Sequence, residues 1–240
     1  MHPIRWITRG ASSILDVGCN AGELLAFCRR VEPDARLVGV DINPVALAAA
    51  RVAAPTALIA RAEVHRLPLD ADGLDVVACI EVLEHVPAPL RRDALGEVAR
   101  VLRPGGRLIL RVPHAGVFAW LDPGNARFRF PGLYRRLIAA GRRDAGYAGR
   151  ASGVVWHHHF RHRELIDLLG SGWRIVVARG GGLFLLPLLD AATWPLQRLG
   201  LRTERLHRLA DLDLGIDYGR LSYTWLIVAS KVEPATPPQQ

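Results

Sequence analysis

The 240-residue chain is half hydrophobic and 22% charged, ordinary globular composition that limits it to one α/β domain with insertions or two small domains. Its three cysteines, Cys19, Cys28 and Cys79, all lie in the first third without a CxxC pair. That excludes a disulfide framework and a zinc knuckle, and makes a reducing cytoplasm the expected compartment. The net charge of +8 comes almost wholly from arginine, Lys231 being the only lysine, in scattered pairs such as Arg29-Arg30 and Arg142-Arg143. Without aromatic interleaving these read as surface charge rather than a nucleic-acid track. Residues 1–10 lack the apolar stretch of a signal peptide.

In chain order, residues 13–17 form a short apolar strand ending in Gly18-Cys-Asn-Ala-Gly22, and a helix over residues 23–31 follows at once. A second strand, 36–40, ends at Asp41. Asn43 as N-cap with Pro44 at the first helical position then opens a helix through Ala46 to Ala53. Strands are expected at 56–60, 74–80 and 107–112, with a helix from about Pro89 to Leu102 stopped by Pro104-Gly105-Gly106. Such alternation predicts a mostly parallel sheet with helices on both faces.

The second half is less regular. Residues 113–160 and 180–219 read as insertions, and helix 161–169, strand 173–178 and strand 221–230 complete a single domain over 1–233. A polar, proline-rich tail, 234–240, is expected to be disordered. Gly180-Gly-Gly-Leu-Phe-Leu-Leu-Pro-Leu-Leu189 is too short to span a bilayer and reads as a pocket lid, a dimer surface or a membrane-surface contact.

The chemistry-bearing residues sit at strand ends. Gly18 and Gly22 permit a tight turn and close ligand approach. Asp41, some ~20 residues on, is placed to accept both hydroxyls of a ribose. Glu81-Val-Leu-Glu84-His85 puts two carboxylates and an imidazole in five residues. As one helical turn it would set Glu81 on a face with Glu84 and His85. His114, after the fifth strand, and the run Trp156-His-His-His-Phe160 add further imidazoles, so His85, His114 and His159 are candidate general bases.

Asp16-Val-Gly-Cys-Asn-Ala-Gly22, Gly39-Val-Asp41, Leu67-Pro68, Asp75-Val-Val77, Glu81-Val-Leu-Glu-His85 and Arg100-Val-Leu-Arg-Pro-Gly-Gly106, in that order over residues 13–114, resemble the class I S-adenosylmethionine methyltransferases. The resemblance implies a Rossmann-like seven-stranded sheet with the last strand antiparallel. It also implies a cofactor half holding S-adenosylmethionine against Asp16, Gly18, Cys19, Asn20, Gly22, Asp41, Ile42, Glu63, Val64, Ile80 and Glu81. In the ubiquinone-pathway O-methyltransferases and small-RNA 2′-O-methyltransferases of this family, Glu-x-x-Glu-His binds a divalent metal. That makes Glu81, Glu84, His85 and His157 (or His159) candidate Mg2+ ligands. The implied activity is O-methylation of a small-molecule, sugar or lipid-linked acceptor. The alternatives are a metal-assisted RNA 2′-O-methyltransferase and a non-catalytic cofactor-binding protein. No transmembrane segment or nucleic-acid partner is expected; a peripheral membrane contact stays open. So little sequence precedes the first strand that the two insertions are expected to cover the cofactor, with Trp120, Phe128, Phe130 and Tyr134 walling the acceptor.

Overall fold

The computed structural model describes residues 4–117, 119–121, 125, 157–183, 185, 188–189 and 212–232. Their centre is a seven-stranded sheet of β1 (Ser13–Val17), β2 (Arg36–Asp41), β3 (Leu58–Arg61), β4 (Leu74–Ile80), β5 (Leu102–Pro113), β6 (Trp173–Gly181) and β7 (Thr224–Lys231). The spatial order is β3-β2-β1-β4-β5-β7-β6. Strands β1 to β5 run parallel, while β7 pairs antiparallel with both β5 and β6, as the family resemblance implies.

Helices cover both faces because the strands alternate between two apolar sides. Leu15, Val17, Val77, Cys79, Leu108 and Leu110 face α4 (Arg91–Val101) and α5 (His162–Leu169), where Leu95, Val98 and Leu165 meet them. Ile14, Val76, Ala78 and Ile109 face the other way, onto Ile7 of α1 (Ile4–Thr8), Leu25 and Cys28 of α2 (Glu23–Val31) and Leu47 and Ala50 of α3 (Pro44–Ala53). Helix α2 crosses close over the sheet at Gly39, where a Cβ would lie 2.6 Å from Leu25 Cδ1. All three cysteines are buried thiols. Burial pushes Cys19 and Cys28 up to about 12 and Cys79 higher still, reinforced by neighbouring carboxylates.

Several boundaries differ from the expectation. The third strand is Leu58–Arg61 instead of 56–60, and α1 precedes a strand before which no element was expected. Strand β5 begins at Leu102, which pairs with Leu74. A register shift over Pro104-Gly105-Gly106, with Gly105 at φ +73°, precedes the pairing of Arg107 with Val76. The turn expected to separate helix from strand is thus a bulge inside the strand. Strand β6 continues to Gly181 because Gly180 lies against Ser222, which leaves no room for a Cβ. Strand β7 starts at Thr224, after a 3-10 turn at Gly219–Leu221. Most of both insertions, with Phe128, Phe130 and Tyr134, and the 234–240 tail lie outside the described residues.

Candidate functional site

The loop after β1 turns through three left-handed residues, Gly18 (φ +71°), Asn20 (φ +44°) and Gly22 (φ +85°). Gly18 fits only as glycine, since a Cβ there would stand 2.4 Å from Val82 Cγ2. The loop amides are turned inward. Gly18 and Cys19 both donate to the Val40 carbonyl at 2.8 and 3.0 Å, Gly22 donates to Cys19 O, and Asn20 N donates to Asp41 Oδ2 at 3.0 Å. With these donors engaged, the loop is no cradle for a phosphate. Asp41 Oδ1 also accepts from Asn43 N at 2.8 Å, which orients the carboxylate at the end of β2.

Carboxylates dominate this end of the sheet. Asp16 is buried, and that burial, with the negative charges of Asp41 and Glu23, pushes its carboxyl up to about 8. A cation placed here would reverse the cost, because it favours the ionised form. Hydroxyls and an ammonium are therefore the ligand groups that suit this end of the sheet, and the amino-acid and ribose portions of S-adenosylmethionine carry both.

Beyond β3, Val64 is buried in the core and Glu63 is mostly exposed, its carboxylate 3.2 Å from His65 Nε2. The Ile42 carbonyl accepts from Arg61 Nε at 3.1 Å. A shallow pocket lined by Arg61, Ala62, Glu63, His65, Arg66, Leu67 and Pro68 lies here.

At the end of β4 the expectation of one helical turn is corrected. Glu81 stands outside it at φ +56°, and only Leu83–His85 form a 3-10 turn. The cause is the sheet: Glu81 N donates to Arg111 O at 2.9 Å, while Arg111 Nε donates to Glu81 Oε1 at 2.9 Å. Glu84 is 1% exposed, and burial together with the Glu81 carboxylate holds its carboxyl well above the usual range. Its Oε1 lies 3.9 Å from His85 Nε2. Among the described residues no group of three or more His, Cys, Asp or Glu side chains is arranged to hold a metal ion. With the Glu81 carboxylate bound by Arg111 and the Glu84 carboxyl buried beside it, these side chains do not fit the expected Mg2+ set.

The histidine run forms a strap between two parts of the site. His158 N donates to Glu84 O at 3.4 Å, and Phe160 N donates to Pro113 O at 2.9 Å. His157 packs edge-on against His85, centroids 4.4 Å apart, and exchanges backbone hydrogen bonds with the buried Asn125 side chain. His158 points elsewhere, its Nε2 2.6 Å from Glu164 Oε1 on α5. Arg91 stands 3.8 Å from the same carboxylate and covers the Phe160 ring. His159 is close enough to His114 to act on it electrostatically.

His114 is 6% exposed, and its Nδ1 lies 2.9 Å from the Ser222 carbonyl. A carbonyl only accepts, so Nδ1 carries the proton and Nε2 the lone pair. Burial lowers its pKa below the ordinary 6.5, helped by His159 and His162 and opposed by the Ser222 hydrogen bond. Near neutral pH this is a free-base imidazole, ring edge against Trp225. Leu183 is buried, whereas Trp120, Leu185 and Leu188 are exposed.

Sequence reasoning passed over Arg111, Asn125, Glu164 and Ser222. Arg111, Asn125 and Ser222 act through contacts remote in sequence and Glu164 through His158 six residues before it; only the position of Arg111 opposite Ile80 follows from strand register.

Residues 15–110 match the family model described as a methyltransferase domain. A protein from transposon TN4556 of Streptomyces fradiae is 36% identical over 109 residues, 44% of this chain and 31% of its own length. The ubiquinone biosynthesis O-methyltransferase of Aeromonas salmonicida is 33% identical over 137 residues, 50% of this chain and 54% of its own. The chain thus spans between a third and about half of the length of these curated relatives. Among solved structures, a SAM-dependent methyltransferase of Methanosarcina mazei superposes with a TM-score of 0.60 at 21% identity, covering 98% of this chain and 99% of that one. The S-adenosylmethionine-dependent methyltransferase of Mesorhizobium loti gives 0.58 at 19%, covering 95% of each.

Proposed function

Residues 15–110 match a methyltransferase domain, and on that premise we propose that the chain is a class I S-adenosylmethionine methyltransferase that methylates an oxygen of a small-molecule, sugar or lipid-linked acceptor. The observation that carries the reading is the end of β1 and β2, where inward-turned amides leave the carboxylates of Asp16 and Asp41 to meet a ligand rich in hydroxyls and bearing an ammonium. The 33% identity to a ubiquinone biosynthesis O-methyltransferase supports oxygen as the acceptor atom.

S-adenosylmethionine supplies an electrophilic methyl group on a sulfonium. The chain's own work is to orient and to move a proton. Asp41, fixed by Asn20 N and Asn43 N, orients the ribose. Asp16 takes the ammonium. Residues 18–22 hold the amino-acid end close to the backbone of β1, with Ile42, Glu63 and Val64 bordering the adenine. Holding two reactants in line is worth on the order of 7–11 kcal/mol at best. His114 Nε2 removes the acceptor hydroxyl's proton as the oxygen attacks. The strap sets His159 beside it and His157 beside His85.

The test is calorimetric titration with S-adenosylhomocysteine. Wild type binds, and Asp41→Ala, which loses charge-assisted hydrogen bonds, weakens binding by about 10- to 100-fold. No binding to wild type would reject the cofactor site.

A further inference from the structure

Resting on the cofactor reading above, the geometry points to Arg111 as the residue that receives the carboxylate of the cofactor's amino-acid end, across from the Asp16 carboxylate that takes its ammonium. The placement follows from strand register. Asp16 pairs with Ala78 and Arg111 with Ile80. Ile14 of β1, Val76, Ala78 and Ile80 of β4 and Ile109 of β5 all lie on the face packed against α1, α2 and α3. Period-two alternation puts Asp16 and Arg111 on that same face.

Arg111 is then two strands across and two residues further along than Asp16. That is about 10 Å sideways and about 7 Å along the strand between backbones. The gap lies within the reach of an aspartate, an arginine and one amino-acid group between them.

The chemistry agrees with the placement. A group carrying both an ammonium and a carboxylate needs one partner of each sign, and Asp16, Glu23 and Asp41 supply only negative charge. Arg111 is partly buried at 24% exposure, and its Nε is committed to Glu81 Oε1. Among the described residues its two Nη atoms make no hydrogen bond, which leaves a planar fork of the kind that grips a carboxylate bidentately. The Glu81 carboxylate holds the guanidinium at Nε, and the Glu81 backbone N–H ties the two residues together at the Arg111 carbonyl, so the fork is oriented before a ligand arrives. A left-handed φ of +56° at a residue other than glycine is the strain this double tie sustains.

The test compares two ligands that share an adenosine and a thioether. S-adenosylhomocysteine carries the amino-acid end; 5′-methylthioadenosine does not. Both are titrated calorimetrically into wild type, Arg111→Gln and Arg111→Lys. Arg111→Gln is expected to bind S-adenosylhomocysteine about 10- to 100-fold more weakly while its affinity for methylthioadenosine stays within about twofold, which also shows that the variant is folded. Arg111→Lys, keeping the charge without the fork, recovers part of the loss. Unchanged affinity for S-adenosylhomocysteine in Arg111→Gln, or a parallel loss of both ligands, overturns the assignment. Failure of wild type to bind either ligand rejects the cofactor reading itself.

Discussion

The two halves of this molecule build their parts of the site by different means. In residues 13–112 the candidate groups stand at or just beyond the ends of parallel strands, and several are fixed by one or two backbone hydrogen bonds, as with Asp41 between Asn20 N and Asn43 N. In the second half, side chains do the positioning. The strap at 157–160 is fastened by Glu164, Asn125 and Arg91 and by the backbone of Glu84 and Pro113. The difference teaches that the proposed cofactor site is a property of the sheet, while the proposed proton-moving groups depend on packing that local pattern does not specify.

Three measurements press on that contrast, from the largest effect to the smallest. His114→Gln is expected to slow methyl transfer by about 10²- to 10⁴-fold while leaving S-adenosylhomocysteine affinity as it was. In wild type the rate is expected to climb with pH and level off below neutrality, because burial lowers the pKa of His114. A parallel loss of cofactor affinity would show that the two halves do not act separately. Gly18→Val should cost about 2–4 kcal/mol of stability, since it adds a side chain where Val82 already stands and where φ is positive. Denaturant melts of wild type and variant measure it, and a change below about 0.5 kcal/mol would mean that the loop yields freely.

The third is a matter of pH. Asp16 titrates near 3.8 in an unfolded chain and at about 8 in the folded one. The folded state therefore holds the proton more tightly, so this stabilising contribution is complete below pH ~4 and lost as the pH rises through about 8. Melting temperatures of the ligand-free protein should show less decline over that window in Asp16→Asn than in wild type. At pH 7, S-adenosylhomocysteine binding to wild type should release a proton as the ammonium ionises Asp16. Binding enthalpies in phosphate and in Tris would differ accordingly, and equal enthalpies would contradict it.

Much of the first half was legible because it obeys short-range rules. The strands at 13–17 and 74–80 and the helix at 23–31 have the expected bounds. Asn43 caps α3 as anticipated, its Oδ1 accepting from Val45 N and Ala46 N. The miss at Glu81 has a tertiary origin. A helical turn was the local choice, and the backbone bond to Arg111, 30 residues away, overrode it. The same holds for the metal reading, since glutamates and histidines in the right spacing say nothing of an arginine arriving from the next strand. The histidine triplet divides by alternation, as its spacing in an extended chain suggests. No local signal said that Glu164 would claim the middle one.

The buried thiols give the protein a built-in reporter. Cys19 lies within the cofactor loop, Cys28 on the helix that follows it, and Cys79 on the central strand beside β1. Held protonated and out of solvent, all three should resist alkylation, because the thiolate is the reacting species. Labelling is then gated by the frequency with which the chain opens around each one. A maleimide or iodoacetamide time course read by peptide mass would rank local openings against one another without any introduced probe. A ligand that clamps the loop would slow modification at Cys19 first and at Cys79 least.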